Sequence, residues 1–94
     1  MMGWWRNFRI ERAAKRYAAD LPDALELGWG PLKYYTACQI RTAVVSLDLN
    51  PDFIALAYAR FLPEERFPLV AEEMRVPMSY DEARTAMTRH MSGS

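Results

Sequence analysis

The sequence holds one cysteine, Cys38, and one histidine, His90. A single thiol excludes an internal disulfide. Zinc normally takes three or four His, Cys, Asp or Glu ligands at recognisable spacing, and no such spacing occurs, so no metal site is expected. No run of 18 apolar residues exists, so no membrane-spanning helix is expected. The N-terminus lacks the apolar core of a secretory signal, and it reads Met1-Met2-Gly3, which argues against secretion and N-myristoylation. A chain that folds without disulfides and carries no leader is expected to be cytoplasmic. Glycine is scarce, and Gly28-Trp29-Gly30 is too short for a phosphate-binding loop, so no cofactor is expected. Strand-like alternation bounded by turn residues is almost missing, and there is no repeat.

What remains is the composition of a small globular domain: 51% hydrophobic and 26% charged residues over 94 positions. Residues 1–94 are read as one domain, with 1–3 and 92–94 as frayed ends. The pattern predicts an all-α fold, a compact domain of five or six short helices. The first covers Trp4 to about Ala19, with Ile10, Ala13, Ala14, Tyr17, Ala18 and Leu21 on one side. Pro22 is expected to end it or to restart it as a short second helix to Leu27. Gly28 is then the left-handed cap and Trp29-Gly30-Pro31 a turn. Thr36 and Gln39 form a capping box that opens a helix to about Leu47. Asn50-Pro51 signals another start, an N-cap followed by proline at the first helical position. The helix after it, about 52–62, is apolar almost all round and is expected at the centre. Pro63 stops it. Pro63 to Met74 reads as helical but broken near Pro68. Ser79 and Glu82 form a second capping box, opening a last helix from Tyr80 to about His90.

The segment Tyr34-Tyr35-Thr36-Ala37-Cys38-Gln39-Ile40-Arg41, followed by Leu49-Asn50-Pro51, resembles a small uncharacterised bacterial protein family. Its members are of about this length and carry a basic N-terminal helix, a Tyr-Tyr-Thr-x-x-Gln-Val/Ile-Arg segment, and then Leu-Asn and an apolar helix. The likeness spans most of residues 5–75. It implies a bacterial, soluble, helical protein with no assigned activity, and it carries over no catalytic or ligand residue. The same residues have a plain structural reading, in which Thr36 and Gln39 cap a helix and the tyrosines pack where the chain enters it.

Catalytic constellations are thin. Cys38 falls in the first turn of its helix, where the dipole favours a thiolate, but free cysteine is more often a small buried hydrophobe. A Cys38-dependent enzyme also needs a nearby base. The acidic pairs Glu64/Glu65, Glu72/Glu73 and Asp81/Glu82 are consecutive. Their side chains therefore diverge on a helix, and they read as solvated faces or dipole partners. Residues 36–62 have helix-turn-helix dimensions. Their second helix offers only Asp52 and Arg60 to base edges, so sequence-specific nucleic-acid binding is not expected. Met74, Met78, Met87 and Met91 read as core filler. Trp29 reads as a lid over the core.

One feature points outward. Trp4, Trp5 and Phe8 adjoin Arg6, Arg9, Arg12, Lys15 and Arg16. Residues 1–16 hold five basic side chains and one acid, Glu11, while residues 17–94 hold seven basic and eleven acidic ones. A net charge of zero thus divides into a basic end and an acidic body. On a helical wheel the aromatics fall toward the basic side and away from the Ile10–Leu21 stripe. The candidate surface is Trp4, Trp5, Phe8, Arg9, Arg12, Lys15 and Arg16. The preferred reading is a non-enzymatic protein–protein interaction module that binds a protein partner or itself, as in a homodimer, with Trp and Arg as anchors. The alternative is a peripheral contact with an anionic membrane surface. The structural alternative has the three aromatics folding back on the body to fill its core.

Overall fold

The computed structural model describes residues 2–92. Met1, Gly93 and Ser94, among the ends expected to fray, lie outside the described residues. Among those described are four α-helices: α1 (Met2–Trp29), α2 (Ala37–Ser46), α3 (Ala55–Phe61) and α4 (Tyr80–Ser92). Two 3-10 segments, Pro51–Phe53 and Glu64–Glu73, flank α3, and no strand occurs among these residues.

The central position goes to α3, as its composition requires. Ala55, Leu56, Ala57, Tyr58 and Ala59 are completely buried, and Phe53, Ile54 and Phe61 nearly so. Its main partners are α4 and, to a lesser extent, α1 and α2, while α1 also packs along α4. Ala83, Ala86 and Met87 form the buried face of α4, and Met74 and Met78 fill the space before it. These methionines are core residues, with Met91 packed at the edge.

The first helix departs from expectation. It runs unbroken for 28 residues with Pro22 inside it, whereas Pro22 was expected to end or restart it. Proline removes one backbone hydrogen bond and crowds the preceding turn. The apolar stripe outweighs this cost. Ile10, Ala14, Tyr17, Leu21 and Leu25 continue in helical register through the proline, and all are buried. Breaking the helix at Pro22 would take Leu25 out of the core, at about 1.5–3 kcal/mol for the side chain. The left-handed residue then falls at Gly30, with φ 90°, not at Gly28. Its N–H donates to the Glu26 carbonyl at 2.7 Å.

The local signals further along behave as their chemistry demands. The Thr36–Gln39 capping box is complete: the Gln39 N–H donates to Thr36 Oγ1 at 3.1 Å, and the Thr36 N–H to Gln39 Oε1 at 2.9 Å. Ile40, Ala43 and Val44 are its buried stripe. A Schellman turn closes α2, with the Leu49 N–H on the Val44 carbonyl and the Asp48 N–H on the Val45 carbonyl. Asp48 takes the left-handed position, φ 56°, a conformation Asp tolerates better than most residues. Asn50 Oδ1 accepts from the Asp52 N–H at 3.0 Å. The start it caps is a 3-10 turn leading into α3 at Ala55, where one helix was expected over 52–62. Glu64–Glu73 is likewise one 3-10 run through Pro68, not an α-helix broken there. Phe67 and Val70 anchor that segment in the core.

Since Leu25 is buried beyond Pro22, Leu25→Ala should cost about 2–5 kcal/mol in urea unfolding, close to Leu21→Ala. If the helix ended at Pro22, Leu25→Ala would cost under about 0.5 kcal/mol, as an exposed position does.

Candidate interaction surface

Arg6 fixes the start of α1. Its guanidinium donates to both carboxylate oxygens of Glu82, at 2.6 and 3.0 Å, and to the Pro77 carbonyl at 2.5 Å. Glu82 sits in the first turn of α4, where its backbone N–H is capped by Ser79 Oγ at 3.0 Å. The Arg6 hydrogen bond holds the Glu82 carboxyl below the usual carboxylate range, against partial burial. A turn later Glu11 takes Arg89 at 2.6 Å and His90 at 2.9 Å. Partial desolvation pushes the Glu11 carboxyl up, but hydrogen bonds from Arg89 and His90 outweigh it and hold it low. The Tyr17 hydroxyl, buried and with its pKa pushed up by that burial, donates to the Asn50 carbonyl. These contacts orient α1 on the body, so what its other side presents is fixed too.

That other side carries the seven predicted residues. Trp4, Trp5 and Phe8 are 64%, 61% and 51% exposed. They do not fold back into the core, which overturns the structural alternative. They pack on one another instead, with Trp4 and Trp5 edge to face at 4.8 Å between centroids and Phe8 stacked on Trp4 at 6.2 Å. Arg9 extends over the Phe53 ring, 5.5 Å from its centroid. Arg9, Arg12 and Arg16 line a shallow groove of about 250 Å³ with Phe8, Ala13, Asn50 and Phe53. Lys15 is exposed beside them. Arg12, Lys15 and Arg16 form no ion pair among the described residues. The helix therefore spends its inward charges, Arg6 and Glu11, on α4 and leaves its outward ones free.

A second feature was not foreseen. The chain between α1 and α2 and the 3-10 segment Glu64–Glu73 enclose an apolar groove of about 520 Å³. Leu32, Tyr34, Leu69 and Val70 are among its walls, with Arg66. Leu69 is 75% and Leu32 53% exposed. Tyr35 holds the wall in place. Its ring is buried against Phe61, its hydroxyl donates to the Gly30 carbonyl at 2.6 Å, and its N–H to the Phe61 carbonyl at 2.8 Å. Tyr34 was expected to pack with Tyr35 but is exposed, and Trp29, expected as a lid, is 38% exposed at the end of α1. Elements distant in sequence build this groove, so no local pattern announces it.

The remaining candidates are scattered. Cys38 is exposed in the first turn of α2, while the one imidazole is engaged by Glu11 on α1. Among the described residues no group of His, Cys, Asp and Glu is arranged to hold a metal ion, and no helix is long and apolar enough to cross a membrane. All residues of α3 except the half-buried Arg60 are buried.

The fold and surface define a small all-α domain with an exposed aromatic and basic helix end. A family of unknown function (DUF6559) matches residues 5–93, and the chain belongs to it. No curated protein and no solved structure matches the chain.

The Arg6–Glu82 pair is half-buried, so its stabilisation is modest, up to about 1 kcal/mol. Glu82→Gln should lower stability by that amount at pH 7. A lowered carboxyl stabilises the fold above the unfolded-state pKa and loses that effect as pH falls through the folded one. The gap between wild type and variant should therefore close on acidification from about pH 4.3 downward. A gap that persisted at the acid end would show that the Arg6 contact is not its source.

Proposed function

We propose that the chain is a non-enzymatic docking module that binds a protein partner through the head of α1. The observation that carries this is the exposure of Trp4, Trp5 and Phe8 beside unpaired Arg12, Lys15 and Arg16. A contiguous apolar patch rimmed by charge marks an interaction site on a small domain. Trp and Arg are the residue types that carry most binding energy at such sites. The free guanidinium groups favour a partner with carboxylates around an apolar pocket. A cytoplasmic setting in a bacterium is part of this reading. Support for a non-enzymatic role comes from the one imidazole, His90, whose Nε2 is engaged by Glu11 and not by the exposed Cys38.

The same exposure favours a second reading, a peripheral contact with anionic lipid, in which the aromatics enter the headgroup layer and the arginines meet phosphate. The order of charge along α1 favours protein over lipid. Asp20, Asp23 and Glu26 follow Arg16 and are exposed, so a helix lying flat on an anionic surface would have one half repelled.

Trp4→Ala/Trp5→Ala should leave the thermal midpoint nearly unchanged, because both side chains are solvent-facing. In calorimetry against a purified partner it should weaken binding about 30-fold or more, as expected for two anchors. Unchanged binding would exclude the head as the docking surface. Co-sedimentation of the wild type with phosphatidylserine vesicles at low salt, lost in the same variant, would favour the lipid reading instead.

A further inference from the structure

The charges of α1 run against its own dipole. Its first turn holds no acid and its last turn no base. Basic residues crowd the N-terminal half, and Asp20, Asp23 and Glu26 the C-terminal half. A helix dipole favours the reverse order, so isolated stability does not account for it. It produces a molecule with a positive aromatic pole and a negative one. The helix spans about 40 Å at its ideal rise, and the longest extent of the molecule is 41 Å. The two poles therefore lie at opposite ends of the fold.

The apolar groove begins at the negative end. Leu32 and Tyr34 follow directly on α1, with Lys33 over the Tyr34 ring, and exposed Glu64 and Glu65 adjoin Pro63 and Arg66 of the groove wall, so the acids of that end lie around the groove and not in it. Leu27 is 91% exposed on the last turn of α1. The aromatic head cannot reach this groove within one chain, because a continuous helix separates them.

Building on the docking role of the head, the geometry points to a second copy of this chain as its partner, in a head-to-tail arrangement. Trp4, Trp5 and Phe8 of one copy enter the groove at Leu32, Tyr34 and Leu69 of the next. Arg66 in the groove wall offers its guanidinium to the face of an entering ring. Arg12 and Arg16 of the first copy then meet Asp23, Glu26 and Glu64 of the second. The contact joins unlike surfaces, so a pair of copies still has one free head and one free groove. Such contacts grow into open chains or close into rings.

The test is light scattering coupled to gel filtration on the full chain and two variants. Trp4→Ala/Trp5→Ala removes the head and Leu69→Lys blocks the groove at an exposed position; Tyr34→Ser is a second groove variant should Leu69→Lys lower the thermal midpoint. The wild type should grow in mass with concentration, past two copies unless a ring closes, and its association should weaken about tenfold or more between low and high salt. Each variant alone should run as a monomer. An equimolar mixture should form a dimer of twice the 10.9 kDa chain mass, since it pairs one intact head with one intact groove. A mixture that stays monomeric overturns the arrangement. Self-association that survives Leu69→Lys but not Trp4→Ala/Trp5→Ala overturns it too and leaves the head as a docking surface, meeting its own kind. A wild type that stays monomeric at millimolar concentration also overturns it, while the docking role stands or falls on the calorimetry. Association indifferent to both variants overturns the inference, and the docking role again rests on the calorimetry.

Discussion

A seven-residue helix whose one charged side chain is Arg60 must be enclosed on nearly every side, and the rest of this structure follows from that requirement. Alanine at 55, 57 and 59 lets neighbouring helices approach closely, while Leu56 and Tyr58 fill the remaining depth. Covering α3 takes the stripe of α1, the alanine face of α4, the buried side of α2 and the Phe67–Val70 anchor. A chain of this length buries roughly 60–65% of its unfolded surface, so there is little apolar material to spare. Yet Trp4, Trp5, Phe8, Leu27, Leu32 and Leu69 remain outside. These large side chains are left in solvent although the core could have used them.

The same economy explains which parts of the fold were legible in the sequence. Capping is local chemistry, so Thr36–Gln39, Asn50-Pro51 and Ser79 were readable from spacing alone. The central helix was readable because an all-apolar run admits one environment. Pro22 was not, because its local penalty is outweighed by the burial of Leu25, which tertiary packing decides. Gly28 was expected as the cap, and the left-handed position falls at Gly30 because α1 runs on to Trp29 once Pro22 is tolerated. The 3-10 geometry of Glu64–Glu73 depends on how Phe67 and Val70 reach the core, which spacing does not encode.

The interaction surface divides along similar lines. The wheel put the aromatics of α1 with its basic side, and they are exposed there. The role of Arg6 was hidden, because a helical wheel cannot tell an arginine that finds Glu82 from one that stays free. The groove was illegible altogether. Its walls come from residues 32–39 and 62–70, and the Tyr35 N–H on the Phe61 carbonyl is one contact that ties them together. The Tyr34-Tyr35-Thr36 segment serves two ends at once, with Tyr35 and Thr36 holding structure and Tyr34 lining the groove.

The outward face of α1 carries several costs that its inward face does not need. Arg12 and Arg16 are one turn apart and repel. The basic half lies toward the positive end of the dipole and the acidic half toward the negative end; the effect fades beyond the terminal turns, so Glu26, in the last turn, carries most of that penalty, about 0.3–1 kcal/mol. Native domains retain only about 5–15 kcal/mol of net stability, so penalties of this size matter. Reordering these charges would relieve them without touching a single core contact. Their persistence is physically coherent if they are offset outside the monomer, where the positive end of one α1 meets the negative end of another surface. In that arrangement the charge order and the dipole act together as attraction, and the feature that weakens the lone helix becomes the one that orients its partner.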